Sequence, residues 1–201
     1  MRVNTHSRAV MVKIAVVEAI AAMVICATCR SAENGQRETI ITISPNDRVL
    51  VLAPHPDDEV IGCAGIIQQC LEKGAALRIV VLTNGDHNQL AFKTYEKKLI
   101  MKPADYRKMG GIRRIESLAA AKILGVSPAD FIFLGYPDYG TLDIWKQYWG
   151  QTKPFKSSLT KVDRVPYPDN PSYGKTYIGE NILTDITTVI MRFQPTKIFV
   201  S

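Results

Sequence analysis

Five consecutive residues, His55-Pro56-Asp57-Asp58-Glu59, bring together one imidazole and three carboxylates. That is the composition of a metal-assisted hydrolytic site. Such a site takes about three nitrogen or oxygen ligands from the protein and keeps a free carboxylate beside the attacking water. His55 and Asp58 can supply two ligands. Asp57, between them in sequence but directed elsewhere, is then available as the base. Zinc lowers the pKa of bound water to roughly 7, so an ordinary Asp has only a modest pull to supply. Glu59 either braces the loop or sits in the first turn of the next helix, where negative charge is favoured. An architectural reading competes with all of this: Asp57 or Asp58 N-caps that helix and His55 is a polar loop residue.

The elements around the motif decide where its side chains can stand. Val49 to Ala53 is continuously apolar, as a strand covered on both faces must be, and Pro54 and Pro56 stop its ladder. The polar cluster therefore falls at a strand's carboxyl end, where open α/β sheets bind ligands. Helical periodicity predicts Glu59 to Lys73, with Gly74 as its stop. Leu77 to Thr83 reads as strand two and ends in Asn84-Gly85-Asp86; a basic helical region follows. The strongest helix is expected over Ile112 to Leu124, with Ile112, Ile115, Ala119 and Ile123 on its apolar face. Phe131–Leu134, Ile182–Phe193 and Lys197–Val200 complete the pattern as strand, helix and strand. Alternating strands and helices predict one α/β domain, a Rossmann-like, mostly parallel sheet with flanking helices. No Gly-x-Gly-x-x-Gly follows strand one, so a nucleotide is not implied.

Between Tyr136 and Gly179 no period holds, and the segment is rich in proline and aromatic rings. Its rings either stack on a sugar as a wall over the site or pack the loop onto the body. Asp138, just after strand three, is a candidate for a substrate or bracing contact, with a turn-forming Asp as the alternative. Arg113 is placed to reach the substrate or to brace the carboxylates. Cys63 and Cys70, seven apart on one helix, are roughly 10 Å apart along its axis and so beyond disulfide reach.

From about Arg48 to Ser201 the segments also fall in a recognisable order: Val49 to Glu59, Gly62-Cys63-Ala64-Gly65, Val80 to Asp86, Arg113-Arg114-Ile115-Glu116, and Phe133 to Asp138. This series resembles the PIG-L/LmbE family of zinc-dependent N-acetylglucosamine deacetylases. The resemblance implies Zn2+ as cofactor, His55 and Asp58 as its ligands, Asp57 as general base, and an N-acetylated amino sugar or its conjugate as substrate. It also implies a second, downstream histidine motif that completes the zinc site. This chain's histidines are His6, His55 and His87, and Ser201 follows a strand-like run. The expectation is therefore a domain over 48–201 that is incomplete at its C-terminus and lacks the third ligand. His87 is expected to face substrate or solvent rather than to replace that ligand. A non-catalytic glycan- or lipid-surface-binding domain is the alternative function; a two-metal phosphoesterase finds no second His/Asp cluster.

Net charge is +6. Lys93, Lys97, Lys98, Lys102, Arg107, Lys108, Arg113 and Arg114, against Glu96 and Asp105, carry a surplus equal to that of the whole chain. Such a lip could attract an anionic substrate or a membrane surface, or be a solvated loop and helix. Aromatics are not interleaved with these bases, which excludes a nucleic-acid module. No oligomeric state is prescribed. Ala9 to Cys29 is predominantly apolar and preceded by Arg2 and Arg8, so 1–32 read as an export signal or anchor and 33–47 as a linker. An exported or membrane-associated protein is expected, with a cytoplasmic one as the alternative.

Overall fold

Val49, Val51 and Ala53 enter one hydrophobic core while Leu50 enters another, because successive side chains of a strand point to opposite faces. The structure, a computed structural model, describes residues 41–88, 100–150 and 153–201. Its elements are β1 (Arg48–Ala53), α1 (Asp58–Lys73), β2 (Ala76–Thr83), α2 (Pro103–Leu124), β3 (Phe131–Tyr136), α3 (Thr141–Gln147), α4 (Gly179–Phe193) and β4 (Lys197–Val200). The strands form one sheet in the order β3-β2-β1-β4, and every pairing is parallel. The chain thus builds outward from β1 through β2 to β3, then returns to place β4 on the other side of β1. That reversal is a topological switch point, and it lies at the strand that precedes His55.

One face of the sheet is covered by Cys63, Ile67 and Cys70 of α1 and by Ala121 of α2 with Val126 beyond its end. Both cysteines are free and buried. On the other face, Leu50, Val80 and Leu134 meet Ile144, Phe155, Val165, Tyr167, Tyr177 and Phe193. Gly74, at φ 69°, closes α1 with its N–H on the last carbonyls. Ile43 and Asp47, inside the expected linker, are buried against the sheet. Asp47 accepts a hydrogen bond from the Thr196 hydroxyl at 2.8 Å and pairs with Lys197 at 2.5 Å, tying β4 to the start of β1.

Three expectations change. The strongest helix is 22 residues long and starts at Pro103 rather than Ile112, taking in Arg107 and Lys108 of the basic run. Pro at its first position and the Asp105 carboxylate on the Lys102 N–H, at 2.8 Å, are start signals, and Gly110-Gly111 does not break it. Its packed side carries Gly110, Ser117 and Ala121, whereas Ile115 and Ile123 are 65% and 88% exposed. Small residues win that face because Tyr167 and the core approach it closely. The long aromatic segment is also not structureless: it contains α3 and an antiparallel bridge between Arg164 and Thr176. Most of its buried rings pack the body, while Tyr139, Trp145 and Tyr173 are exposed.

The expected leader and Lys93, Lys97 and Lys98 lie outside the described residues. Among those described, no helix is long and apolar enough to cross a membrane.

Candidate active site

His55, Asp86 and Asp138 follow β1, β2 and β3 respectively, so parallel pairing delivers all three to one edge of the sheet. The edge is held together by its own chain. Pro54, after β1, accepts hydrogen bonds from the Thr83 N–H and hydroxyl, each at 3.1 Å. Gly85, at φ 67°, lets the Arg113 side chain pass: a Cβ there would stand 3.0 Å from Nε.

The His55 ring lies between two carboxylates. Its Nδ1 is 3.0 Å from Asp58 Oδ2 and its Nε2 is 2.9 Å from Asp138 Oδ1. The same Asp58 oxygen accepts the His55 backbone N–H at 2.9 Å. Hydrogen bonding to Asp138 and the charges of Asp138 and Asp58 push His55 up to about 9, against the cost of burial. Partial burial of Asp138 opposes ionisation, yet the His55 hydrogen bond and charge hold it below the ordinary carboxylate range.

Asp57 lines the same pocket as His55 and Asp138 but makes its hydrogen bonds elsewhere. It occupies the N-cap position of α1 at φ 108°, but its side chain makes no capping bond. Instead its Oδ2 accepts from Arg113 Nη2 at 3.0 Å, and the same nitrogen donates to the Pro56 carbonyl. Positive φ at a non-glycine residue costs on the order of 1–3 kcal/mol and persists only where surroundings impose it. Here Arg113 and Glu59 impose it, since Glu59 accepts the Asp57 N–H at 3.0 Å. Glu59 is almost fully buried, and burial pushes its carboxyl up.

Each residue singled out in the sequence therefore falls at this edge: His55, Asp58 and Asp138 in one hydrogen-bonded row, Asp57, Glu59 and Arg113 in another. Sequence reasoning gave no role to Asp86. Its carboxylate accepts the Asp138 N–H at 3.2 Å and the Tyr167 hydroxyl at 2.9 Å, and burial raises it to about 6. Its place in Asn84-Gly85-Asp86 at a strand end was the available signal. The His87 N–H donates to Asp138 Oδ2 at 3.1 Å, and its ring lies 5.0 Å from that of Tyr139. Of the basic run, Arg113 pairs with Asp57, Arg107 donates to the Thr160 carbonyl and Arg114 stands 3.9 Å from Asp169. These cations are engaged with the body.

A divalent ion fits part of this arrangement. Two donors 3.0 Å apart can share a point about 2.1 Å from each, the usual zinc–ligand distance. A metal-binding histidine characteristically gives its other ring nitrogen to a carboxylate, the position Asp138 holds. Among the described residues no group of three or more His, Cys, Asp or Glu could hold a metal ion.

Comparison with known proteins bears on the family. A 1D-myo-inositol 2-acetamido-2-deoxy-alpha-D-glucopyranoside deacetylase of Mycobacterium sp. (strain KMS) is 34% identical over 85 residues, 42% of this chain and 27% of the relative. The corresponding deacetylase of Salinispora arenicola is 28% identical over 153 residues, 68% of this chain and 48% of the relative. The chain thus spans about a quarter to a half of the length of these curated relatives. Among solved structures, N,N'-diacetylchitobiose deacetylase from Pyrococcus horikoshii superposes with a TM-score of 0.45 at 22% identity, over 75% of this chain and 39% of that one. Residues 50–201, from the first core strand to the last residue, match the family described as PIG-L, GlcNAc-PI de-N-acetylase, and the chain belongs to it.

Proposed function

We infer that this chain carries the reactive edge of a zinc-dependent hydrolase that removes the N-acetyl group from an N-acetylglucosamine-type sugar or conjugate. The observation that carries the reading is the division of labour in the motif. His55 and Asp58 present adjacent donors, while Asp57, next to both in sequence, is held by Arg113 and lines the same pocket as His55. His55 and Asp58 are the residues that would hold zinc. When bound, the ion supplies Lewis-acid stabilisation of developing negative charge and a water made nucleophilic at neutral pH.

The protein's own groups account for the rest. Asp57 takes the proton of the attacking water as its oxygen bonds to the acetyl carbon. The C–N bond then breaks, and the proton passes from Asp57 to the departing amine. Acetate and the free amino sugar leave. Arg113 holds the Asp57 carboxylate in place, and Asp138 fixes the His55 ring. His87 and Asp138 line the pocket of about 240 Å3 in which the sugar hydroxyls would find partners.

Asp57→Asn tests the assignment in the full-length protein. Loss of a general base costs about 10²- to 10⁴-fold in turnover, while zinc content, measured by metal analysis, should stay at the wild-type level. Equal loss of zinc would make Asp57 a ligand and reject the assigned roles. Glycan binding that is indifferent to chelator, without acetate release, would instead favour a non-catalytic binding domain.

A further inference from the structure

Asp57, Asn88 and Arg113 line two hollows at once. One is the polar pocket just described, which also contains His55, His87 and Asp138. The other is a groove of about 550 Å3 between α1 and α2, where Val60, Ile61, Met109, Ile112 and Ala120 give a mainly apolar wall and Glu59, Glu116 and Ser117 add polar groups. Hollows of opposite character therefore meet at the carboxylate assigned to activate water.

An amide carries one substituent on nitrogen and another on its carbonyl carbon. With the carbonyl beside Asp57, the two must leave in different directions. Sugar hydroxyls need the hydrogen-bond partners of the polar pocket. The opposite substituent is then directed into the groove, whose apolar walls suit hydrocarbon. Its volume lies in the range of roughly 300–1,000 Å3 typical of pockets for whole small ligands, far more than one methyl group fills. Ile61 carries the apolar wall outward, at 80% exposure.

We propose that the groove between α1 and α2 receives the N-acyl chain of the substrate, and that this chain is an aliphatic acyl group longer than acetyl on an amino sugar. The inference rests on the hydrolase reading and refines its acyl group. Scission is unchanged: water adds to the carbonyl carbon, the C–N bond breaks, and a carboxylate of the longer chain leaves with the free amine.

Binding to the full chain, measured by calorimetry with N-acetylglucosamine and N-hexanoylglucosamine, tests this without requiring turnover. Burying one methylene is worth about fourfold in affinity. An open groove covers each methylene only in part, so four added carbons should tighten binding at least about tenfold. In Ala120→Trp, which fills the groove, and in Ile61→Ser, at an exposed position that the fold tolerates, the ratio of the two affinities should collapse toward one. Absence of a hexanoyl advantage in the wild type, or an advantage that persists in both variants, overturns the proposal. The same groove-dependent gain for a hexyl glycoside of N-acetylglucosamine would assign the groove to the aglycone and overturn it too. Groove-dependent hexanoyl binding, with no zinc-dependent amine release from any of these sugars, would reject the hydrolase reading and leave the groove assignment standing.

Discussion

Gly110 and Gly111 are neighbours in the middle of α2, and replacing each by alanine should move stability in opposite directions. A Cβ on Gly110 would stand 2.7 Å from Tyr167 Cζ and closer still to the hydroxyl. Tyr167 cannot simply step aside, because its ring is buried and its hydroxyl donates to Asp86 at 2.9 Å. Overpacking of this kind costs about 1–3 kcal/mol, and loss of a hydrogen bond to a carboxylate about 1.5–3. Alanine recovers about 1 kcal/mol of helix propensity, leaving a net loss of about 2–4 kcal/mol for Gly110→Ala. For a domain of this size that is a fall in Tm of roughly 10 °C. At Gly111 a Cβ meets nothing within 4 Å among the described residues, so only the propensity gain of up to about 1 kcal/mol remains. Thermal and urea unfolding of both variants beside the wild type supply the comparison. Shifts of the same sign in the two variants would refute the reasoning, since they would mean that Tyr167 does not press on α2 at Gly110.

In chelator-treated protein, NMR should find His55 titrating near 9, and Asp138→Asn should lower that midpoint toward the ordinary histidine value; an unchanged midpoint would show that Asp138 does not hold the ring. Because His55 is raised, its contribution to the stability of the metal-free fold is complete below about pH 6.5 and is lost as pH rises through about 9. Asp86 is also raised, to about 6, so stability linked to it is lost as pH rises from about 4 through 6, on the order of 3 kcal/mol for two units. Urea titrations at pH 4.5 and 7.5 should therefore show a smaller pH dependence in Asp86→Asn than in the wild type, and equal dependence would exclude Asp86 as its source. Asp47 carries the opposite sign: the Lys197, Ser44 and Thr196 contacts lower its pKa, so its contribution is present at neutral pH and fades as pH falls below about 4. Asp47→Asn should lose stability at pH 7 and converge on the wild type in acid unfolding, whereas a deficit that persists in acid would point to lost packing instead.

The reactive motif and its frame were legible in the residues because both are local. A short apolar run rich in valine that ends at prolines reads as a doubly covered strand with its polar loop beyond it, and β1 and the His55 to Glu59 loop follow that reading. Gly74 and Gly125 marked helix ends for an equally local reason: each takes the left-handed turn that closes a helix. The face and length of α2 were not legible, since hydrophobicity favoured Ile115 and Ile123 while packing favoured Gly110, Ser117 and Ala121.

By itself the sequence determined the types of the four strands and of the helices outside the 136–179 segment, the strand-end position of the motif, and its chemical inventory of one imidazole and adjacent carboxylates. Only the tertiary structure decided the order β3-β2-β1-β4, which brings the ends of β1, β2 and β3 together at a switch point. It alone decided that Asp138, 83 residues beyond His55, shares the imidazole with Asp58, and that Asp57 pairs with Arg113. Hydrophobic periodicity records how each segment meets the core. Which segments become neighbours depends on sheet pairing and crossover paths, and no local pattern of side chains encodes those.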